Sequence, residues 1–282
     1  QHGHKHQHDI SLSGGGDRAS FRISGSYQHE SGSVIKQKLD RFTTRMALDY
    51  FVSDRIKVVS DFELVYTDND KNYTSLLSDA QIIMPNMSIH TQDPLGNDTE
   101  DYYLMRQDAS GIFDKNQKNI LNPVASGNLA WKNTRSYNIS PQISIDYQLL
   151  GLDQGEHQLR YQGLVKMSAN TNSDSQYRPS SLSTQAWYAN DKNVSSTSDD
   201  KRLEFYTRHK LMYTPAFNNT DHYLTMFAQF EVRQGSSSSA YSASYGIPTG
   251  ITSPTTGSIL SSSSTGTGQW RSVSMLYSAV YS

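Results

Sequence analysis

Four histidines, His2, His4, His6 and His8, occupy alternate positions at the start of the chain. On an extended strand this spacing puts the imidazoles on one face, as a metal cluster would need. A His-rich tract is only a compositional hint, and polar rings in a connecting segment cost little, so no metal site is assigned. A second candidate is Asp68-Asn69-Asp70-Lys71-Asn72 with Asp79 further on. Its oxygens fall at positions 1, 3, 5 and 12 of a calcium loop. The sixth position, however, is Tyr73 where that loop turns on glycine, and no helix period flanks it. The expected structure there is a solvated strand end.

Two further groups could do chemistry by binding. Arg22, Arg41, Arg45, Asp49, Lys57, Asp61 and Glu63 alternate with apolar residues and mix both signs. They are expected to pair across strands or with a neighbouring domain. Tyr102, Tyr103, Trp187 and Tyr188 fall in long polar connections. Aromatic faces there stack on sugar rings or pack on peptides, and they equally serve to anchor a loop. No nucleophile elbow, metalloprotease helix or phosphate-cradling loop is present, so no catalytic residue and no cofactor is assigned. The chain of 282 residues has no cysteine and a net charge of -2. That excludes disulfides and thiolate chemistry and gives no basic footprint for nucleic acid.

The elements that position these residues have period 2. In residues 41–52, Phe42, Thr44, Met46, Leu48 and Tyr50 share one face and Arg41, Thr43, Arg45, Ala47 and Asp49 the other. Residues 55–66 and 222–233 alternate in the same way. Such alternation marks strands with one apolar and one polar face. About nine strands follow, near 8–13, 19–29, 41–52, 55–68, 135–149, 157–169, 202–215, 222–234 and 269–282. Residues 76–85 read as a short loop helix ended by Pro85. The Ser/Gly-rich stretches 234–246 and 261–268 read as low-complexity and mobile.

The strands are long, about 11–14 residues against the usual 5–6. Their connections alternate between short turns (14–18, 53–54, 151–156, 216–221) and long segments (30–40, 69–134, 170–201, 235–268). The expected fold is therefore all-β, an antiparallel transmembrane β-barrel portion with short periplasmic turns and long extracellular loops. Its apolar face meets lipid. Tyr27, Tyr50, Tyr66, Tyr147, Tyr213 and Tyr281 form interfacial girdles. The alternative is a secreted or surface β-rich adhesin, since a sandwich also has one wet face.

With this topology in view, residues 8–32 (HDISLSGGGDRASFRISGSYQHESG) resemble the first barrel hairpin of SusC/RagA-type TonB-dependent transporters. The matching features are His8-Asp9, the strand Ile10 to Ser13, the Gly14-Gly15 turn and the strand Phe21 to Tyr27. Residues 40–67 are similar to that family's second hairpin, Asn122-Pro123-Val124-Ala125 to the Asn-Pro stretch before the next strand, and 149–167 to its third periplasmic turn. Asp9 stands where the family has Asn, and Gly16 lengthens the first turn. The resemblance implies a piece of a larger barrel of about 22 strands that encloses an N-terminal plug. Residues 1–7 would be the linker from that plug and 8–282 a partial barrel. It also implies an importer in a Gram-negative outer membrane that takes up oligosaccharides or peptides. Its partners would be a SusD-like surface lipoprotein and the TonB complex. An unplugged porin is a further alternative.

Overall fold

The computed structural model describes residues 2–104, 120–152, 155–182, 192–217, 222–247 and 259–282. The strands β1 (His4–Gly15), β2 (Ala19–Ser31), β3 (Lys38–Ser53) and β4 (Ile56–Lys71) come first. An excursion follows, with α1 (Leu76–Ile82), the short pair β5 (His90–Gln92) and β6 (Asp98–Tyr102), and α2 (Pro123–Leu129). Then come β7 (Trp131–Leu150), β8 (Gln158–Arg178), β9 (Val194–Thr214), β10 (Leu224–Tyr245) and β11 (Ile259–Tyr281). Nine of these form one sheet in the order β1-β2-β3-β4-β7-β8-β9-β10-β11. Every neighbouring pair in it is antiparallel.

The register fixes the two faces. One row runs Phe21–Leu48–Ser60–Ile143–Val165 and on through Thr207 to Val232–Val273. The row one residue away runs Asp49–Val59–Ser144–Leu164–Arg208–Glu231–Ser274. Strand alternation therefore carries through the sheet as an apolar face and a polar face. The apolar face is open: Ile143 is 51% and Met275 62% exposed. A sandwich core would bury such side chains.

Tyrosines bound the apolar face at both ends. Tyr27, Tyr66 and Tyr137 lie towards the long-loop end, with the Tyr66 and Tyr137 rings 4.8 Å apart. Tyr50, Tyr147, Tyr213 and Tyr281 lie towards the short-turn end. From Tyr137 to Tyr147 is about 33 Å of strand. At a tilt of about 40° that is an apolar band about 25 Å tall, the height of a transmembrane barrel's lipid face.

Three expectations are corrected. First, β1 begins at His4, four residues ahead of the expected strand start. Backbone pairing of His4–Gln7 with Gln28–Ser31 extends the hairpin. Second, the Ser/Gly-rich stretches are ordered strand: Ser236–Ser242 of β10 pairs residue for residue with Ser263–Gln269 of β11. Ladder bonds come from the main chain, so polar small residues extend a strand that a longer one already templates. Third, the strands reach 23 residues, well beyond the roughly 9–11 that span a membrane. Their extra length projects at the long-loop end.

Buried apolar residues sit at that end, not under the sheet. Leu76, Ala125, Ala130 and Leu182 are buried, and Tyr73, Tyr102, Leu104 and Leu129 pack on the core that α2 helps to form. The helix expected over 76–85 forms as α1 and stops at Ile83, two residues before Pro85. Helix α2 has no counterpart among the expected elements. Asn122 caps it, its side-chain oxygen accepting from Val124 N–H and Ala125 N–H, with Pro123 in the first turn, a favoured helix start.

Candidate functional site: the polar wall and its loop end

The polar face gathers Arg22, Arg41, Arg45, Asp49, Lys57, Asp61 and Glu63, because all lie on the same parity of β2, β3 and β4. Four of them pair. Arg45 donates through Nη2 to Asp61 Oδ2 at 2.7 Å and through Nε to Oδ1 at 3.2 Å. Lys57 Nζ lies 2.9 Å from Asp49 Oδ2. Arg22, Arg41 and Glu63 form no ion pair among the described residues, although Glu63 faces Arg45 in the register. Further along the wall Arg160 pairs with Asp146, which also accepts from Gln162 at 3.2 Å.

The wall on β9 to β11 is organised by Glu231. Tyr206 Oη and Gln229 Nε2 both donate to its Oε1 at 2.8 Å, and the Arg233 guanidinium lies 4.8 Å from the Tyr206 ring centre. Such cross-linked charges keep a polar lining rigid. Each exposed pair is individually weak. Arg45 is 60% exposed in its pair with Asp61, so a double-mutant cycle of Arg45→Ala and Asp61→Ala should give only a weak coupling that shrinks further in high salt. Denaturant titration of the four proteins measures it.

The other candidates separate. His4, His6 and His8 lie on the apolar face with His29 across from His6. The His6 and His29 rings are 5.0 Å apart, and His29 Nδ1 bonds Asp40 Oδ1 at 2.7 Å, which holds the Asp40 carboxyl below its ordinary range. Asp68 and Asp70 are strand residues. Asp68 meets Arg135 at 3.3 Å and Asp70 meets Lys38 at 3.3 Å, while Asn72 donates to the Ile35 carbonyl and Asp79 lies on α1. Asp70 raises the Lys38 ammonium above its ordinary value. Among the described residues no group of three or more His, Asp or Glu is placed to hold a metal ion.

Tyr102 is a loop anchor. Its ring stacks 4.9 Å from that of His90, its hydroxyl accepts from Asn128 Nδ2 at 3.0 Å, and it packs on the α2 core. Tyr103 ties the excursion through its backbone, donating to the Ile89 carbonyl and accepting from Asn122 Nδ2. Trp187 and Tyr188 lie outside the described residues. The aromatic that sequence reasoning passed over is Trp270. It stands on the polar face of β11, opposite Gly235, and its parity with Ser272 and Ser274 was readable in WRSVSMLYSAVYS.

No family model matches the chain, and no curated protein matches it. Among solved structures it is similar to the RagAB peptide transporter, at 15% identity over 98% of this chain with a TM-score of 0.63. It is similar also to the RagAB peptide importer in its "open-open" and "closed-closed" states, with TM-scores of 0.62 and 0.60. The chain spans about 30% of the length of these chains. At such identity the likeness is one of fold. The nine-stranded sheet is a portion of an antiparallel transmembrane β-barrel wall, with the lipid side apolar and the enclosed side polar.

Proposed function

We propose that this chain is part of the barrel of a TonB-dependent outer-membrane importer of oligosaccharides or peptides. In this reading the polar face lines the passage, the paired charges seat a plug, and the long-loop end faces outward beneath a SusD-like surface lipoprotein. The observation that carries it is the two-faced wall: an open apolar band of membrane height, bounded by tyrosines, on a sheet whose whole length follows the barrel of a known importer pair. The chain supplies no chemistry of its own. Its work is to hold a polar passage open to substrate and closed to lipid.

Cells that express the intact protein carrying this chain test the reading. Uptake of labelled oligosaccharides or peptides should require both that protein and a functional TonB, and a lipoprotein should co-purify in mild detergent. Uptake that persists without TonB would point to an open porin instead.

A further inference from the structure

The loop end of the polar wall holds a group of side chains that the ion-pair lattice does not use. Trp270 is 48% exposed. Its indole lies over Gly235: a Cβ there would meet ring atoms Nε1 and Cε2 at 2.5 Å. One ring face is therefore laid on the sheet and the other is turned to the passage. A cross-strand glycine under an aromatic is a pairing that needs the missing side chain.

Beyond the ring the wall is floored by Ser237, Ser239, Gly266 and Gly268, and Arg202 and Glu204 flank it, enclosing an open trough of about 520 Å³. Asn170 and Asn172 of β8 continue the flank beside Arg202 and Glu204. The side chains of Asp200, Arg202 and Glu204 form no hydrogen bond or ion pair among the described residues. Glu231, on the same face, has its carboxylate filled by Tyr206, Gln229 and Ser274. The trough thus presents a bare aromatic face, a free carboxylate pair, a free guanidinium and side-chain amides within one shallow surface.

We infer that this trough is a substrate-contact site for a neutral oligosaccharide. The inference rests on the importer reading above. A pyranose ring offers an apolar C–H face, which matches a flat indole, and a rim of hydroxyls that both donate and accept. Carboxylate, guanidinium and amide groups answer that rim with paired hydrogen bonds. The small floor residues let a flat ring approach the sheet. Asp200 and Glu204 share the polar parity of β9 with Arg202, whereas Lys201, which also lines the trough, has the opposite parity. The polar side thus sets two carboxylates against one guanidinium, which disfavours anionic ligands. An extended peptide gains most by pairing with a free strand edge, and β9 and β10, which carry most of the trough's lining, are paired on both sides.

The test uses the intact protein in detergent micelles and in cells. The probes are neutral hexasaccharides of glucose, xylose, mannose and galactose, and a mixed hexapeptide pool. At least one hexasaccharide should bind, and Trp270→Ala should weaken it tenfold or more. Glu204→Gln should weaken it severalfold, and Trp270→Phe should retain most of the affinity. Gly235→Ala, which keeps the indole but lifts it off the sheet, should also weaken binding and covers the case in which the Trp270→Ala barrel folds poorly. Full affinity in both Trp270→Ala and Gly235→Ala overturns the site. TonB-dependent uptake of peptides with no hexasaccharide bound overturns the inference and leaves the importer standing. Absence of TonB-dependent uptake for both classes removes the importer reading, and the inference with it.

Discussion

Arginine in place of Ile143 should leave little folded protein in the membrane, while arginine in place of its neighbour Ser144 should be nearly silent. The two residues are adjacent on β7, but the register puts Ile143 between Ser60 and Val165, and Ser144 between Val59 and Leu164. Ile143 lies midway between Tyr137 and Tyr147 and is 51% exposed on the apolar face. A cationic side chain at the midplane of a barrel's lipid face costs about 2–4 kcal/mol. Against a marginal total stability that is a large fraction. In Ser144→Arg the new guanidinium would instead lie on the polar face, the face of Asp146, where water receives it. Heat-modifiable gel mobility and urea titration in lipid report the folded fraction. A third variant separates lipid from a packed core: Ile143→Phe should be neutral, because lipid yields to an extra ring where a close-packed interior loses about 1–3 kcal/mol. Equal damage from Ile143→Arg and Ser144→Arg would mean that the faces are wrongly assigned.

The faces were legible in the sequence because one side of each spanning strand meets a solvent of a single kind. Lipid selects Leu48, Ile143 and Met275 on one parity and leaves Asp61 or Gln142 on the other, so period 2 survives without any tertiary contact. Where the strands leave the apolar band, both faces meet water and the period disappears. Ser236–Ser242 and Ser263–Gln269 therefore read as low-complexity sequence although their backbones are fully paired. The strand ends and the projecting ribbon were illegible for the same reason. The candidate site suffered a different loss. Aromatics in long connections suggest ligand contact, but Tyr102 is consumed by His90, Asn128 and the α2 core. Trp270 sat inside a recognised strand, where an aromatic looks like wall, and only the glycine across from it distinguishes a ring laid flat for use.

The loop-end core should depend on Asn122 as strongly as on a buried leucine in it. Asn122 is 7% exposed and uses both ends of its amide. The oxygen accepts from Val124 N–H at 3.1 Å and Ala125 N–H at 3.2 Å. The nitrogen donates to the Ile89 carbonyl at 2.8 Å and to the Tyr103 carbonyl at 3.0 Å. One side chain thus starts α2 and ties the strand-flanking segments of the β5–β6 pair to it. Asn122→Ala removes the cap, worth about 1 kcal/mol. It also leaves the Tyr103 carbonyl unpaired, at about 1–3 kcal/mol, whereas the Ile89 carbonyl keeps the bond from Tyr103 N–H. The expected loss is roughly 2–4 kcal/mol of local stability, enough to open the excursion while the sheet stays folded. Asn122→Asp divides the two roles. Its carboxylate still accepts from Val124 and Ala125, but it offers no donor to the two carbonyls and sets negative charge against them. Amide hydrogen exchange should then show residues 123–130 protected in Asn122→Asp and unprotected in Asn122→Ala. Residues 87–104 should lose protection in both variants, and β7 to β11 in neither. If 87–104 stays protected in Asn122→Asp, then the apolar contacts of Tyr102 and Leu104 hold the excursion, and the amide's donor role is incidental.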